Sequence, residues 1–152
     1  MSGDLPSDRL RRIIDAVETI EESLGVLSEK RREIDRETYK NDAETRDVVE
    51  RRFVKTTEAA IDIGTVLIVH ERGAPPESNP ETMRRLEEIG VLSEELADEM
   101  IATARFRNVL AHTYGDAIDD DVVYDALDDL ERYRSFLIAV RQYLDSIGAL
   151  ED

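Results

Sequence analysis

Apolar residues recur three and four positions apart along almost the whole chain. That rhythm buries one stripe of a helix and cannot line one face of a strand. Leu10, Ile13, Ile14, Val17, Ile20, Leu24 and Leu27 form the first such stripe. It sits on a helix starting near Ser7, with Ser7 as its cap and Pro6 just outside. The rhythm fades from Glu29 to Tyr39, where Ile34 stands alone, and this part reads as a solvated extension. Asn41-Asp42 marks a break. A second helix runs from about Ala43 to His70, with Val48, Val49, Phe53, Ala60, Ile63, Leu67 and Val69 among its apolar positions, and Gly73 with Pro75-Pro76 stops it. After a polar loop from Pro75 to Pro80, a short helix from about Pro80 to Ile89 ends at Gly90. Ser93 caps a fourth helix, whose first turn carries Glu94 and Glu95 where the helix dipole favours them, and Gly115 closes it. Asp119 to Asp121 opens the last helix, striped by Val122, Val123, Ala126, Leu127, Leu130, Phe136, Leu137, Val140 and Leu144. No alternating strand pattern, glycine-rich phosphate loop or internal repeat interrupts the series. The sequence predicts an all-α fold, an antiparallel bundle of about five helices in one domain over residues 1–152.

Charge limits the partners such a bundle accepts. The net charge is -16, from 36 acidic and 20 basic residues, and such a surface repels nucleic-acid backbones at low salt. Lys30, Lys40 and Lys55 are the only lysines. Abundant carboxylates with little lysine suit a protein that must stay hydrated in concentrated salt; an ordinary acidic protein is the alternative. In molar salt the Debye length falls to about 3 Å, and global repulsion no longer vetoes an RNA substrate. The chain has no cysteine, which excludes disulfides and thiolate metal sites and fits a reducing cytosol. The acidic start Met1-Ser-Gly-Asp-Leu-Pro lacks the regions of a signal peptide. The longest apolar run, around Ile61 to Val69, is broken by Asp62 and too short to span a bilayer. A cytoplasmic protein with no membrane partner is expected.

Chemistry concentrates in Arg107-Asn-Val-Leu-Ala-His112-Thr-Tyr114. An imidazole titrates near neutrality and can move a proton to or from a ribose 2′-hydroxyl or a leaving oxygen. A guanidinium can grip a scissile phosphate and stabilise its developing charge without any metal or other cofactor. Asn108 adds a hydrogen bond, and Arg105 adds positive potential. The spacing is awkward, since a five-residue step on a regular helix turns the side chain by about 140°, whereas seven residues return within about 20°. Arg107 and Tyr114 therefore share a stripe while His112 points elsewhere. Either the helix loosens just before Gly115, or a second protomer completes the site. Spacing alone also admits a helix-terminal histidine beside an arginine in ordinary salt bridges. Asp62, set among Ala60, Ile61 and Ile63, either pairs with Arg107 or Arg105 or simply faces solvent. His70 fits a cation at the negative end of its helix dipole and is placed outside the site.

Arg107-x4-His112-x-Tyr114 is similar to the R-x4-H-x-Y motif of the HepT-like toxins in the HEPN superfamily of helical proteins. The surrounding Phe106-Arg-Asn-Val-Leu-Ala-His-Thr-Tyr114 resembles the family's motif block. Glu58-Ala-Ala-Ile-Asp62-Ile resembles its preceding helix, and Leu86-Glu-Glu-Ile-Gly-Val-Leu92 resembles its linker. The resemblance implies a homodimeric HEPN-like bundle whose motif lines a cleft between protomers. It implies RNase-type toxicity, with Arg107 and His112 as the catalytic pair; Asn108, Asp62 and Arg105 support them on the residue chemistry above. It further implies an MntA-like nucleotidyltransferase antitoxin that transfers AMP from ATP onto Tyr114, blocking the phosphate site with bulk and negative charge. No DNA partner is expected. A non-catalytic accessory subunit of such a nucleotidyltransferase is the alternative. The stretch from Glu29 to Asp47 has no counterpart role in the family pattern.

Overall fold

The protein is described by a computed structural model covering residues 5–112 and 118–150. Among these residues every regular element is helical, as the stripes predict. Two long helices form the frame, α1 (Ser7–Glu33) and α3 (Ala43–Arg72), joined through the short α2 (Arg36–Asn41). Then come α4 (Asn79–Glu88), α5 (Glu94–His112), α6 (Asp120–Ala126) and α7 (Glu131–Ser146), with a 3-10 turn, Leu127–Asp129, between the last two.

The seven helices exceed the expected five because two stretches are each divided. Ile34 and Asp35 adopt extended backbone, which ends α1, and the Asp35 side chain accepts the Thr38 N–H to start α2. Asp42 does the same for α3, accepting from Thr45 N–H at 3.2 Å. The last stripe breaks at the 3-10 turn. Ser7 is the first helical residue rather than the cap; Pro6 holds the cap position without a side-chain bond. Ser93 caps as expected, accepting from Leu96 N–H, and Ser78 caps α4 in the same way, accepting from Glu81 N–H. Gly73, at φ 82°, ends α3 in the left-handed conformation that glycine adopts without strain.

The core lies along α3. Phe53, Ala60, Ile63 and Leu67 are essentially inaccessible and meet Ile13, Ile20 and Leu27 of α1 on one side. Each such side chain contributes about 1.5–3 kcal/mol by leaving water. On the other side Gly64 lets α4 approach closely, against Thr82 and Leu86. Two ion pairs tie α1 to α3 outside the core, Arg12 with Asp62 and Arg52 with Glu22.

The stretch after Glu29 is largely exposed, as a solvated extension should be, but Tyr39 anchors it to the bundle. Tyr39 of α2 is fully buried, with its ring 5.7 Å from that of Tyr124 on α6. Around this aromatic contact, Arg36 pairs with Asp121 and Asp125, Lys40 with Asp121, Arg31 with Asp128 and Arg46 with Asp120. The basic residues that broke the apolar rhythm are thus the complement of the acidic start of α6. Lys40 first, and then Arg36, hold the Asp121 carboxyl below its ordinary range.

Candidate active site

Arg107 projects from α5 toward α3. Its Nη2 donates to Glu58 Oε1 at 2.8 Å and its Nη1 to Asn108 Oδ1 at 3.2 Å. The Arg107 side chain is only 20% exposed, and its Nε is buried without a partner among the described residues. Each terminal nitrogen carries two N–H groups and uses one among the described residues, which leaves one on each that a ligand could take. One residue earlier, Phe106 meets Phe53 edge-to-face at 5.5 Å, which pins this turn of α5 against α3. Leu110 is buried one turn later.

His112 is the last residue of α5 and is exposed. The helix remains α-helical through it, so the separation of about 140° holds between Arg107 and His112 in one chain. Tyr114 and Gly115, on which the modification site and the helix stop were expected, lie outside the described residues.

The other expected site residues fall in two places. Asp62 does not pair with Arg107 or Arg105. It takes a two-pronged bond from Arg12, Nε to Oδ2 at 3.1 Å and Nη2 to Oδ1 at 2.5 Å. The reason is geometric: α1 packs along α3, so a guanidinium from α1 reaches the Asp62 turn, while Arg107 reaches only the turn before it. Asp62 in turn raises the Arg12 pKa, chiefly through that bond. Arg105 faces away from Arg107, as a two-residue step of about 200° dictates. It lines a cleft between α4 and α5 with Ser78, Glu81, Arg84 and Asp98. His70 sits in the last turn of α3, the position its expected dipole role requires.

Glu58 is the site residue that sequence reasoning did not single out. It lies four residues before Asp62, hence on the same face of α3. Glu58 carries no apolar-face signal of its own, whereas Asp62 stands between Ile61 and Ile63. Glu58 also borders a cleft of about 790 Å³ between α1 and α3, with Arg11, Arg12, Lys55 and Asp62 on its walls. Arg107 therefore stands beside an open cleft of mixed charge, in which Arg11, Arg12 and Lys55 face Asp8, Asp15, Glu58 and Asp62.

The family model described as ribonuclease HepT-like matches residues 13–140. The chain belongs to the HepT-like family. Solved structures share its fold. A chain in the tri-AMPylated Shewanella oneidensis HEPN toxin in complex with MNT antitoxin superposes with a TM-score of 0.77 at 21% identity, over 86% of this chain and 97% of that one. A toxin–antitoxin structure with AMP-PNP gives 0.79 at 20% identity, over 87% and 98%. A cytosolic Bacillus subtilis protein of unknown function, YutE, gives 0.80 at 18% identity, over 93% and 94%. No curated protein sequence matches the chain. Among the described residues of this HepT-like chain, no helix is long and apolar enough to cross a membrane.

Proposed function

We propose that this HepT-like chain is the toxin of a toxin–antitoxin pair, a metal-independent ribonuclease whose catalytic pair is Arg107 and His112. The observation that carries the reading is the mostly buried Arg107 guanidinium, oriented by Glu58 and Asn108, with two N–H groups unused among the described residues that a phosphate could take. A guanidinium fixed before substrate arrives stabilises developing charge without reorganising. His112, exposed at the end of α5, supplies the proton-transfer group.

Because Arg107 and His112 point to different sides of a regular helix, the working pair is formed between two protomers, Arg107 from one and His112 from the other. Glu58 is a positioning residue in this scheme: it aims the guanidinium and leaves the phosphate contact to Arg107. Asp62 supports the site indirectly, by holding Arg12 at the adjoining cleft. Arg105 contributes long-range potential only.

The partner is an MntA-like nucleotidyltransferase that transfers AMP from ATP to the Tyr114 hydroxyl, releasing pyrophosphate. Tyr114 lies seven residues after Arg107, about 20° from it on a helical projection. On that spacing, an AMP on Tyr114 would bring bulk and negative charge to the stripe of Arg107 and counter its cation. The relatives in complex with MNT antitoxin, one of them AMPylated, support this reading.

The test is RNA cleavage by the purified protein in high salt, with Arg107→Ala and His112→Ala each expected to abolish it while the helical spectrum is unchanged. Equal cleavage, or equal growth arrest, by wild type and both variants would rule the assignment out. Incubation with the nucleotidyltransferase and ATP is expected to add AMP mass to the Tyr114 peptide. Modification mapping only to Tyr124 or Tyr133 would reject that acceptor.

A further inference from the structure

The helical ring has an open seam. α7 packs on α5, and α1 packs on α3, but between α1 and α7 an apolar groove of about 910 Å³ remains. Ile14, Val17 and Leu24 line it from one side, and Leu137, Ile138 and Leu150 from the other. Ile138 is 58% exposed, Leu150 41% and Ile14 37%, half of the large exposed apolar side chains among the described residues. Clustering of this kind marks an interaction surface rather than scatter.

The charges at the groove identify its occupant. Arg134 Nη2 donates to Ser28 Oγ at 3.0 Å, which fixes the level of α7 against α1. From there the groove runs toward lower numbers on α1 and higher numbers on α7, so the two helices are antiparallel. Seven residues further along each, roughly 10 Å away, Arg141 stands level with Glu21, with Glu18 one turn beyond. Glu18, Glu21 and Arg141 have no ion-pair partner among the described residues. One bank is therefore acidic and the other basic, at one level along an apolar floor.

A second copy turned about a two-fold axis running along the groove keeps that level and exchanges the banks. Its α7 then lies over this α1, and its Arg141 meets Glu21, and the reverse. A two-fold axis across the groove would instead set Glu21 against Glu21. In a chain of net charge -16 this is an apolar patch with balanced charge, where two copies can approach without the repulsion found elsewhere. We propose that the α1–α7 groove is a self-association surface in which α1 of one copy packs over α7 of another, held by Ile14, Ile138 and Leu150 and registered by Glu21 against Arg141. It lies on the α7 side of α1, whereas Arg107 meets α3, so it is separate from the pairing that completes the active site.

The test is sedimentation of the full chain at fixed protein concentration, with circular dichroism as the folding control. Ile138→Asp is expected to weaken association at least about tenfold, halving the observed mass, because it buries a charge in the apolar floor. Glu21→Arg alone and Arg141→Glu alone should each do the same by setting like charges together. An equimolar mixture of those two variants, and the doubly exchanged single chain, should recover the wild-type mass. A wild-type mass that Ile138→Asp leaves unchanged overturns the proposal. Dissociation by Ile138→Asp with no rescue by the charge exchange overturns the α1-over-α7 arrangement. RNA cleavage plays no part in the readout, so failure here is distinct from failure of the ribonuclease reading.

Discussion

Gly25 and Gly64 both lie inside long helices, and adding one methyl group to each should move stability in opposite directions. In a helix interior alanine is favoured over glycine by about 1 kcal/mol, and this gain applies to both positions. At Gly25, exposed on α1, a Cβ meets nothing within 4 Å, so the gain stands. At Gly64 a Cβ would lie 2.7 Å from Thr82 Cγ2 and 3.0 Å from Leu86 Cδ1. Thr82 cannot swing aside freely, because its Oγ1 donates to the Ser78 carbonyl at 3.1 Å and the residue is 1% exposed. Overpacking of this kind costs about 1–3 kcal/mol. Gly64→Ala is therefore neutral to about 2 kcal/mol destabilising, and Gly25→Ala about 1 kcal/mol stabilising. At about 2–4 °C per kcal/mol for a chain of this size, Gly25→Ala should raise Tm by a few degrees, with Gly64→Ala below it by up to about 12 °C. Thermal melts followed by circular dichroism at one protein concentration measure the difference. A Gly64→Ala protein that melts at or above Gly25→Ala would refute the close approach of α4 to α3, and with it the support that α4 gives α5.

Two buried tyrosines should also separate. The Tyr39 hydroxyl has no partner among the described residues, so Tyr39→Phe should leave the urea midpoint unchanged or raise it. The Tyr133 hydroxyl is 2.9 Å from Thr57 Oγ1, and Tyr133→Phe should lower stability by about 1–3 kcal/mol by stranding that hydroxyl, again read from the urea midpoint. The clasp between α2 and α6 should be acid-sensitive. Because the folded-state pKa of Asp121 is depressed, its contribution is complete above the ordinary value of 3.8 and is lost as pH falls below it. Melting temperature measured down through that range should fall less steeply in Asp121→Asn than in wild type. Glu58→Gln keeps the shape of the Arg107 contact but removes its charge. It should lower cleavage by roughly tenfold through kcat rather than KM, as expected when the contact aims a catalytic group.

The helices were legible because their apolar residues keep a helical period over many turns, and because Ser93 and Gly73 are strong local boundary signals; the Ser78 cap was not read. The Asp35 cap and the 3-10 turn at Leu127 were not. Each is a local choice enforced by tertiary partners, Tyr39 against Tyr124 and Arg36 against Asp121 and Asp125. Periodicity read the stretch from Glu29 to Tyr39 as solvent-facing, and Arg31 and Arg36 are exposed; nothing local says that Tyr39 will be buried, or that acidic residues some ninety positions later will pair with these arginines. Within the candidate site, residue type singles out Arg107 and His112, spacing alone leaves an ordinary salt-bridge reading open, and the resemblance to the HepT-like motif is what makes them a candidate pair. The partner of Arg107 did not follow. Choosing between Glu58 and Asp62 requires knowing which turn of α3 faces α5 and which faces α1, a property of helix packing that one helix's own pattern does not encode.

In the proposed mechanism, Arg107 of one protomer works with His112 of another on RNA. This pairing is tested most directly by mixing the two inactive variants. In an equimolar mixture of Arg107→Ala and His112→Ala chains, random pairing makes about half the dimers mixed, and each mixed dimer contains one intact site of two. RNA cleavage should then return to about a quarter of the wild-type rate, although neither variant cleaves alone. A mixture as inactive as its components, with subunit exchange confirmed, would contradict a site shared between protomers.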